Sequence, residues 1–183
     1  HRERAELAGY NVVEPVVVMA THLTEVINSY AQELLGRQET QHLVDEMKTK
    51  YPALVEDLIP DQVTLSRLQR VLQNLLAERV PIRDLRSIVE ALADYSDISS
   101  VEVLTEYVRT ALRRSICNSL LRDGPENEIA VMTLDGEVEG AVAEAVQETP
   151  AGLHVALAPD VANAIFQRLN LMVDQMTVNG QQP

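Results

Sequence analysis

The sequence predicts a mainly α-helical protein, in which a helical module (a helical superhelix) precedes an incomplete two-layer α/β module. Apolar residues recur every three or four positions through the first 120 residues, and the repeat shortens to two near residue 128. Ten acidic residues and one basic residue lie from residue 123 onward, a net charge of −9 against −4 for the preceding residues, which sum to the −13 of the whole chain. We therefore expect a module boundary near Asp123-Gly124-Pro125.

The first predicted helix begins at Pro15 and continues until Gly36, because proline is favoured in a first turn and glycine after a last one. Before it, Tyr10–Glu14 has the pattern of a strand that has no partner in this chain. One face of the predicted helix carries an apolar stripe of Val16, Met19, Ala20, Leu23, Val26, Ile27, Tyr30, Ala31 and Leu34. We expect this stripe either to pack on the helical module or to cause concentration-dependent self-association.

Further amphipathic helices follow at short intervals. One contains Val44, a short one runs from Pro52 to Pro60, and a third is capped by Thr64. The apolar repeat resumes at Leu85, pauses at residues 96–100 and continues to residue 116. Short loops between such helices predict a compact helical module over about residues 35–121.

The last 60 residues predict an α/β module. Glu128–Leu134 and Leu153–Leu157 read as strands, Asp135 as the cap of a helix that includes Val146, and Asp160 as the start of a final helix. Two strands seldom form a stable sheet. We therefore expect this chain to be a piece of a longer protein.

Composition excludes several function classes. The net charge of −13, one Phe and no Trp disfavour nucleic-acid binding, which needs cations for phosphates and aromatic rings for bases. No apolar run approaches the roughly 20 residues of a membrane-spanning helix. Cys117 is a lone cysteine, which we interpret as packed rather than nucleophilic. The sequence contains no phosphate-binding glycine loop and no nucleophile elbow.

The polar candidates are weak. Two groups share helix faces, His22 with Glu25, and His42 with Glu39, Asp45 and Glu46. As metal ligands they lack further partners, so we interpret them as solvated helix residues and expect no metal, no cofactor and no catalytic residue. A basic stretch consists of Arg109, Arg113, Arg114 and Arg122. It is either a contact to a partner or the neighbouring module, or a solvated helix end, and we favour the helix end.

Several ordered motifs resemble the cytoplasmic domain of the FHIPEP family, the export-gate proteins of flagellar and other type III secretion systems. They lie at residues 9–15 (GYNVVEP), 20–23 (ATHL), 33–39 (ELLGRQE), 71–78 (VLQNLLAE), 81–93 (PIRDLRSIVEALA) and 104–109 (LTEYVR). The similarity is close over residues 9–116 and looser over residues 147–159. The LGRQE form of the third motif favours the flagellar branch over the injectisome branch.

The resemblance implies a parent protein with a membrane-embedded channel part and a cytoplasmic part of four subdomains. Residues 1–14 would end the second subdomain, residues 15–34 would form the returning helix of the first, residues 35–114 the all-helical third, and residues 115–183 a truncated fourth. Such proteins lie at the bacterial inner membrane with this part on the cytoplasmic face. They form a homo-oligomeric ring, for which nine copies are expected, and contact other export-apparatus proteins.

The resemblance also implies a docking site for export chaperones with bound substrates, a hydrophobic dimple between the first two subdomains. Thr21 matches its threonine and Val13 a neighbouring position, whereas its Asp and Phe would precede residue 1. Without the resemblance, Thr21 is equally well a helix-flank residue and Val13 a core residue. The alternatives are an injectisome export gate, an enzyme fragment whose catalytic partners lie elsewhere, and an unrelated adapter.

Overall fold

The computed structural model describes residues 4, 7–59, 61–123, 128–149 and 152–180, without the side chains of residues 57, 122, 123 and 148. The chain divides into two compact units, residues 1–97 and residues 98–183. This division falls inside the predicted 35–114 segment, and the four-segment scheme remains a prediction. Of the boundary expected from charge, Gly124 and Pro125 lie outside the described residues.

The first unit is helical. Its helices are α1 (Pro15–Ser29), α2 (Ala31–Leu34), α3 (Arg37–Lys50), α4 (Pro52–Leu58), α5 (Leu65–Ala77) and α6 (Leu85–Asp94). The prediction of one uninterrupted helix from Pro15 until Gly36 is wrong, because Tyr30 leaves the helical conformation at φ −116° and ψ 16°. Tyr10–Glu14, predicted to have the pattern of a strand without a partner in this chain, is irregular and pairs with no strand in the described part of the chain.

The core of the first unit is formed around α5. Leu68, Val71, Leu72 and Leu75 of this helix are fully buried, at the three- and four-residue steps that the sequence predicts. Helix α5 contacts α2 and α3, α3 contacts α4, and α4 contacts α6. The predicted cap is confirmed, because the Thr64 hydroxyl accepts a 3.3 Å hydrogen bond from the Arg67 amide. Side chains of α3 and α6 complete the core: Val44, Met47, Ile88, Val89 and Leu92.

The second unit contains the small sheet. Its elements are α7 (Val101–Ala111), α8 (Arg113–Asp123), α9 (Gly136–Glu144), β1 (Val146–Thr149), β2 (Gly152–Val155) and α10 (Pro159–Val178). Strands β1 and β2 are antiparallel, with Val146 opposite Val155. Asp135 caps α9 as predicted, since its carboxylate accepts a 3.0 Å hydrogen bond from the Glu137 amide.

The predicted strand at Leu153–Leu157 corresponds to β2, but one strand prediction and one helix prediction fail in this unit. Glu128–Leu134 is irregular, because an alternating pattern becomes a strand only with a hydrogen-bonding partner, and the described sheet contains only β1 and β2. Val146, predicted to end a helix, instead begins β1, because α9 stops and residues 146–149 pair with β2. The predicted fold class, mainly helical with a small two-stranded α/β part, is confirmed.

Burial is uneven in the second unit. Val101, Leu104, Thr105 and Val108 of α7 are buried. Helices α9 and α10 contain no buried residue among those described. Within the described ranges, none of the helices combines the length and the apolar character that a membrane crossing requires.

Candidate functional site

Thr21 lies in the middle of α1, on the side opposite the apolar stripe. Successive helix residues are about 100° apart, so Thr21 shares its face with Val17 and Glu25, while Leu23 and Ile27 occupy the other side. Thr21 is exposed, and its hydroxyl has no hydrogen-bond partner among the described residues. Both the hydroxyl and the methyl of this threonine are therefore open to a binding partner.

Val13 lies just before α1. Its side chain is 48% exposed among the described residues. Helix α1 begins two residues later at Pro15, whose ring fixes the backbone for a first turn. Val13 and Thr21 thus both lie at the surface, in and before the first two turns of one helix.

The apolar stripe of α1 is also at the surface, and α1 has no buried residue. Leu23, Ile27 and Tyr30 are roughly half exposed, and Met19 is 71% exposed. The helix contacts α2, which follows it directly. Of the two outcomes that the sequence allowed, exposure is the one observed for the described residues.

An ion pair links the polar side of α1 to the helices that follow. Arg79 Nη2 donates to Glu25 Oε1 at 2.7 Å, and the hydroxyl of Ser29 points to the same oxygen at 3.5 Å. Arg79 follows the C-terminus of α5 and is 54 positions from Glu25. Sequence reasoning missed this contact, because residues so far apart carry no helical spacing that would join them.

The histidine groups do not form a metal site. His22 and His42 are exposed, and no group of three His, Cys, Asp or Glu side chains in the described part of the chain could hold a metal ion. Asp45 accepts a 2.9 Å hydrogen bond from Gln41, and Glu25 is paired with Arg79. In the described part of the chain, both histidines are exposed helix residues.

The interpretation of Cys117 as a packed residue is wrong, because Cys117 is exposed on α8.

The arginines of the basic stretch contact residues that are close to them in sequence. Arg109 pairs with Glu106 on its own helix, and Arg113 donates a 3.1 Å hydrogen bond to the Thr110 carbonyl. Arg114 is exposed, and the side chain of Arg122 lies outside the described residues. These contacts favour the solvated helix end over a contact to a partner.

A shallow cleft of the first unit was not predicted. The Arg86 guanidinium lies 5.6 Å from the centre of the Tyr51 ring and donates a 2.8 Å hydrogen bond to Glu90, which raises the pKa of Arg86. The cleft has a volume of about 270 Å³ and is lined by Tyr51, Pro52, Ala53, Leu54 and Arg86. Its lining contains neither a nucleophile nor a general base.

Comparison with protein families matches the chain to the FHIPEP family over residues 1–183. The chain belongs to the FHIPEP family. Among its relatives is the flagellar biosynthesis protein FlhA of Bacillus subtilis, which is 40% identical over 179 residues. That alignment covers 97% of this chain and 26% of the relative, so the chain spans about a quarter of the length of that FHIPEP protein.

Several solved structures share the fold of this chain. The chain matches the Chlamydia pneumoniae CdsV and CdsO protein complex with a TM-score of 0.78 and 30% identity, over 92% of this chain and 49% of the other. It matches a nonameric SctV-C from EPEC with a TM-score of 0.77 and 33% identity, over 92% and 52%. FHIPEP proteins are components of export gates and not enzymes, so the expectation of a non-enzymatic chain is confirmed and the enzyme-fragment alternative is set aside.

Proposed function

We propose that this chain is part of the cytoplasmic platform of a flagellar type III protein-export gate, and that this platform docks export chaperones with their bound substrates. The observation that carries the proposal is the position of Thr21, exposed on the polar side of α1 in a chain of the FHIPEP family. The threonine of the family's docking dimple corresponds to Thr21, and a docking residue must be open to its partner.

The flagellar branch is favoured over the injectisome branch. The chain is 40% identical to a flagellar FlhA protein, against 30% and 33% for the CdsV and SctV-C structures. The LGRQE motif at residues 35–39 points to the same branch. An injectisome export gate is the second candidate, which the shared fold keeps open.

The platform would assemble as a ring, for which we take nine copies as the expected number. The similarity to a nonameric SctV-C supports this assembly, and the similarity to a CdsV protein in complex with CdsO supports contacts to other export-apparatus proteins. The parent would be embedded in the bacterial inner membrane, with this part on the cytoplasmic face. We propose the segments 1–14, 15–34, 35–114 and 115–183 as parts of its four subdomains.

The exposed stripe of α1 supports that scheme. If residues 15–34 return to complete a first subdomain, its apolar side chains would be covered by the remainder of that subdomain in the parent. Leu23 and Ile27 are roughly half exposed in this chain, as such a role requires. Thr21, on the other side, would remain at the dimple together with Val13.

Physical chemistry gives Thr21 a defined role. A threonine at the centre of a small interface offers a hydroxyl that hydrogen-bonds the partner and a methyl that joins the apolar lining. Truncation of a central interface residue typically costs about 1–2 kcal/mol, which is about tenfold in affinity. The stability of the free protein should hardly change, since Thr21 is exposed.

The test is a calorimetric titration of the full cytoplasmic part with a chaperone–substrate complex. We expect Thr21→Ala to weaken binding about tenfold and to leave the melting temperature unchanged. The 183-residue chain alone should bind poorly, because the dimple residues expected before residue 1 are missing.

Thr24→Ala is the matched control. Thr24 is an exposed threonine of the same helix, but its hydroxyl is already used in a 2.9 Å hydrogen bond to the Ala20 carbonyl. Its truncation should change affinity less than twofold. Equal losses in both variants, or undiminished affinity of Thr21→Ala, would remove Thr21 from the docking site. Tight binding by the short chain would move the docking surface to the helical module.

A further inference from the structure

Arg79 has an unusual backbone conformation. Its φ is 59°, in the left-handed region, and it is the one non-glycine residue with positive φ in the described part of the chain. The turn after α5 imposes this conformation: the Val80 amide bonds the Leu75 carbonyl at 2.8 Å, and the Arg79 amide bonds the Leu76 carbonyl at 3.0 Å. This pattern ends many helices, but the left-handed position is usually a glycine.

A non-glycine residue in this conformation is a small but real cost to stability. Such a residue persists where its side chain contributes something that glycine cannot. Here the Arg79 side chain reaches Glu25 of α1 at 2.7 Å, across 54 positions of sequence. Both side chains are more than half exposed, so the pair forms at the surface, where it contributes little to stability.

The orientation of α1 has few other determinants in the described residues. Helix α1 has no buried residue, and the chain leaves the helical conformation at Tyr30, between α1 and α2. Helix α2, by contrast, contacts α5, and the Leu35 carbonyl after it accepts hydrogen bonds from Gln69 and Gln73 of α5. The segment after Tyr30 is thus fixed to α5, whereas α1 extends from the break and is joined to the turn after α5 by the Glu25–Arg79 pair.

We propose that Arg79 is a positioning residue that, through its ion pair with Glu25, sets the orientation of α1 relative to α3–α6. Glu25 is one helical turn from Thr21 on the same face, so the pair also sets where Thr21 is presented. Only the expected effect on binding rests on the proposed docking role of Thr21. The orientation itself can be measured without any partner.

The test measures the distance between spin labels on α1 and α3 by pulsed electron paramagnetic resonance. Labels are attached to Met19→Cys and Glu46→Cys in a Cys117→Ser background, because all three positions are exposed. With Arg79 present we expect one narrow distance distribution at about 50 mM salt that broadens at about 500 mM, as screening weakens an exposed pair. Arg79→Gln should give the broad distribution at both salt concentrations.

Three further variants separate the pair from other effects. Arg79→Lys keeps the charge and should keep the narrow distribution, and the exchange of charges in Glu25→Arg with Arg79→Glu should restore it. Arg83→Gln is the matched control, because Arg83 is an exposed arginine near Arg79 with no described ion pair. An unchanged narrow distribution in Arg79→Gln, or equal broadening in Arg83→Gln, would overturn the proposal.

Binding is measured separately, on the full cytoplasmic part. Loss of the pair should weaken chaperone–substrate binding about twofold to fivefold, the range that an exposed ion pair supplies. A broad distribution with unchanged affinity would overturn the link to docking and keep the positioning role. If Thr21→Ala also leaves affinity unchanged, the proposed docking function fails, whereas the distance measurement stands by itself.

Discussion

The exposed stripe of α1 should make this chain self-associate weakly. Full burial of one large apolar side chain contributes about 1.5–3 kcal/mol, so a half-exposed one has about 1 kcal/mol left to gain. Two copies that pair through Met19, Leu23, Val26, Ile27 and Tyr30 would bury ten such side chains, a gross gain of about 10 kcal/mol. Association itself costs several kcal/mol. A net gain of about 5 kcal/mol corresponds to a dissociation constant of about 0.2 mM.

The perturbation is Leu23→Glu, at the centre of the stripe, where the side chain is 59% exposed. It removes about 1 kcal/mol of apolar burial from each copy and adds like charges, which should raise the dissociation constant at least 30-fold. Asn28→Glu is the matched control, because it adds the same charge to the opposite side of the same helix. The dissociation constant of Asn28→Glu should stay within about threefold of the value for the unsubstituted chain.

Sedimentation velocity from about 5 µM to about 500 µM measures both effects. The unsubstituted chain and Asn28→Glu should show a rise in mean mass with concentration, and Leu23→Glu should remain monomeric. An unsubstituted chain that is monomeric at every concentration would refute the assumption that the stripe of α1 can pair with a second copy. A Leu23→Glu variant that still associates would assign association to another surface.

Two further predictions concern stability and local structure. Leu72→Ala, in the fully buried core of α5, should lower the free energy of unfolding by about 3 kcal/mol and the melting temperature by at least 10 °C. Leu34→Ala, at a side chain that is 61% exposed, should change the melting temperature little. Similar melting temperatures for the two variants would contradict the observed core. Gly152→Ala should open the β1–β2 hairpin, because Gly152 has a φ of +116°, whereas Gly140→Ala, inside α9 with free space around it, should be stabilising. Amide hydrogen exchange of Val146 and Val155 measures the hairpin, and unchanged protection in Gly152→Ala would refute the strain argument.

The helices of the first unit were predictable because each one is specified locally. In α5 the cap at Thr64 and the apolar steps at Leu68, Leu72 and Leu75 lie within a dozen residues, and the structure confirms both. Local patterns also specify where a helix can start, as Pro15 and Asp135 show. The order of helices therefore followed from the sequence alone.

The strands were predictable only in part: a strand predicted at Leu153–Leu157 corresponds to β2 at Gly152–Val155, but the other strand and its partner were not found. Glu128–Leu134 alternates as a strand should, but it pairs with no described strand, whereas Val146–Thr149 looks like a helix end and does pair. A strand is stabilised by its partner, and the partner is chosen by contacts outside the pattern. The break at Tyr30 was not predictable either, because the apolar repeat continues through Tyr30 although the helical conformation of the backbone ends there.

The candidate site could be predicted from the sequence only in part. Spacing places Thr21 opposite the stripe, but nothing in the spacing distinguishes Thr21 from Thr24, which has an intrahelical partner. The choice of Thr21 came from the family motif, and the difference between the two threonines came from the structure. The Glu25–Arg79 pair could be predicted neither from the spacing nor from the family motif. A contact between residues 54 positions apart depends on the conformation of the turn after α5.

The distribution of burial in the first unit separates binding from stability. Its fully buried side chains lie in α3, α5, α6 and the adjoining loops, whereas α1 has none. A substitution in α1 therefore removes no core packing, and the unfolding free energy of the unit should be nearly independent of Thr21 and Glu25. For the same reason α1 has little packing energy to oppose a change in its orientation, so a surface ion pair of less than about 1 kcal/mol can shift it. A chaperone that binds at Thr21 would then act on the part of the unit that moves at least cost to the fold.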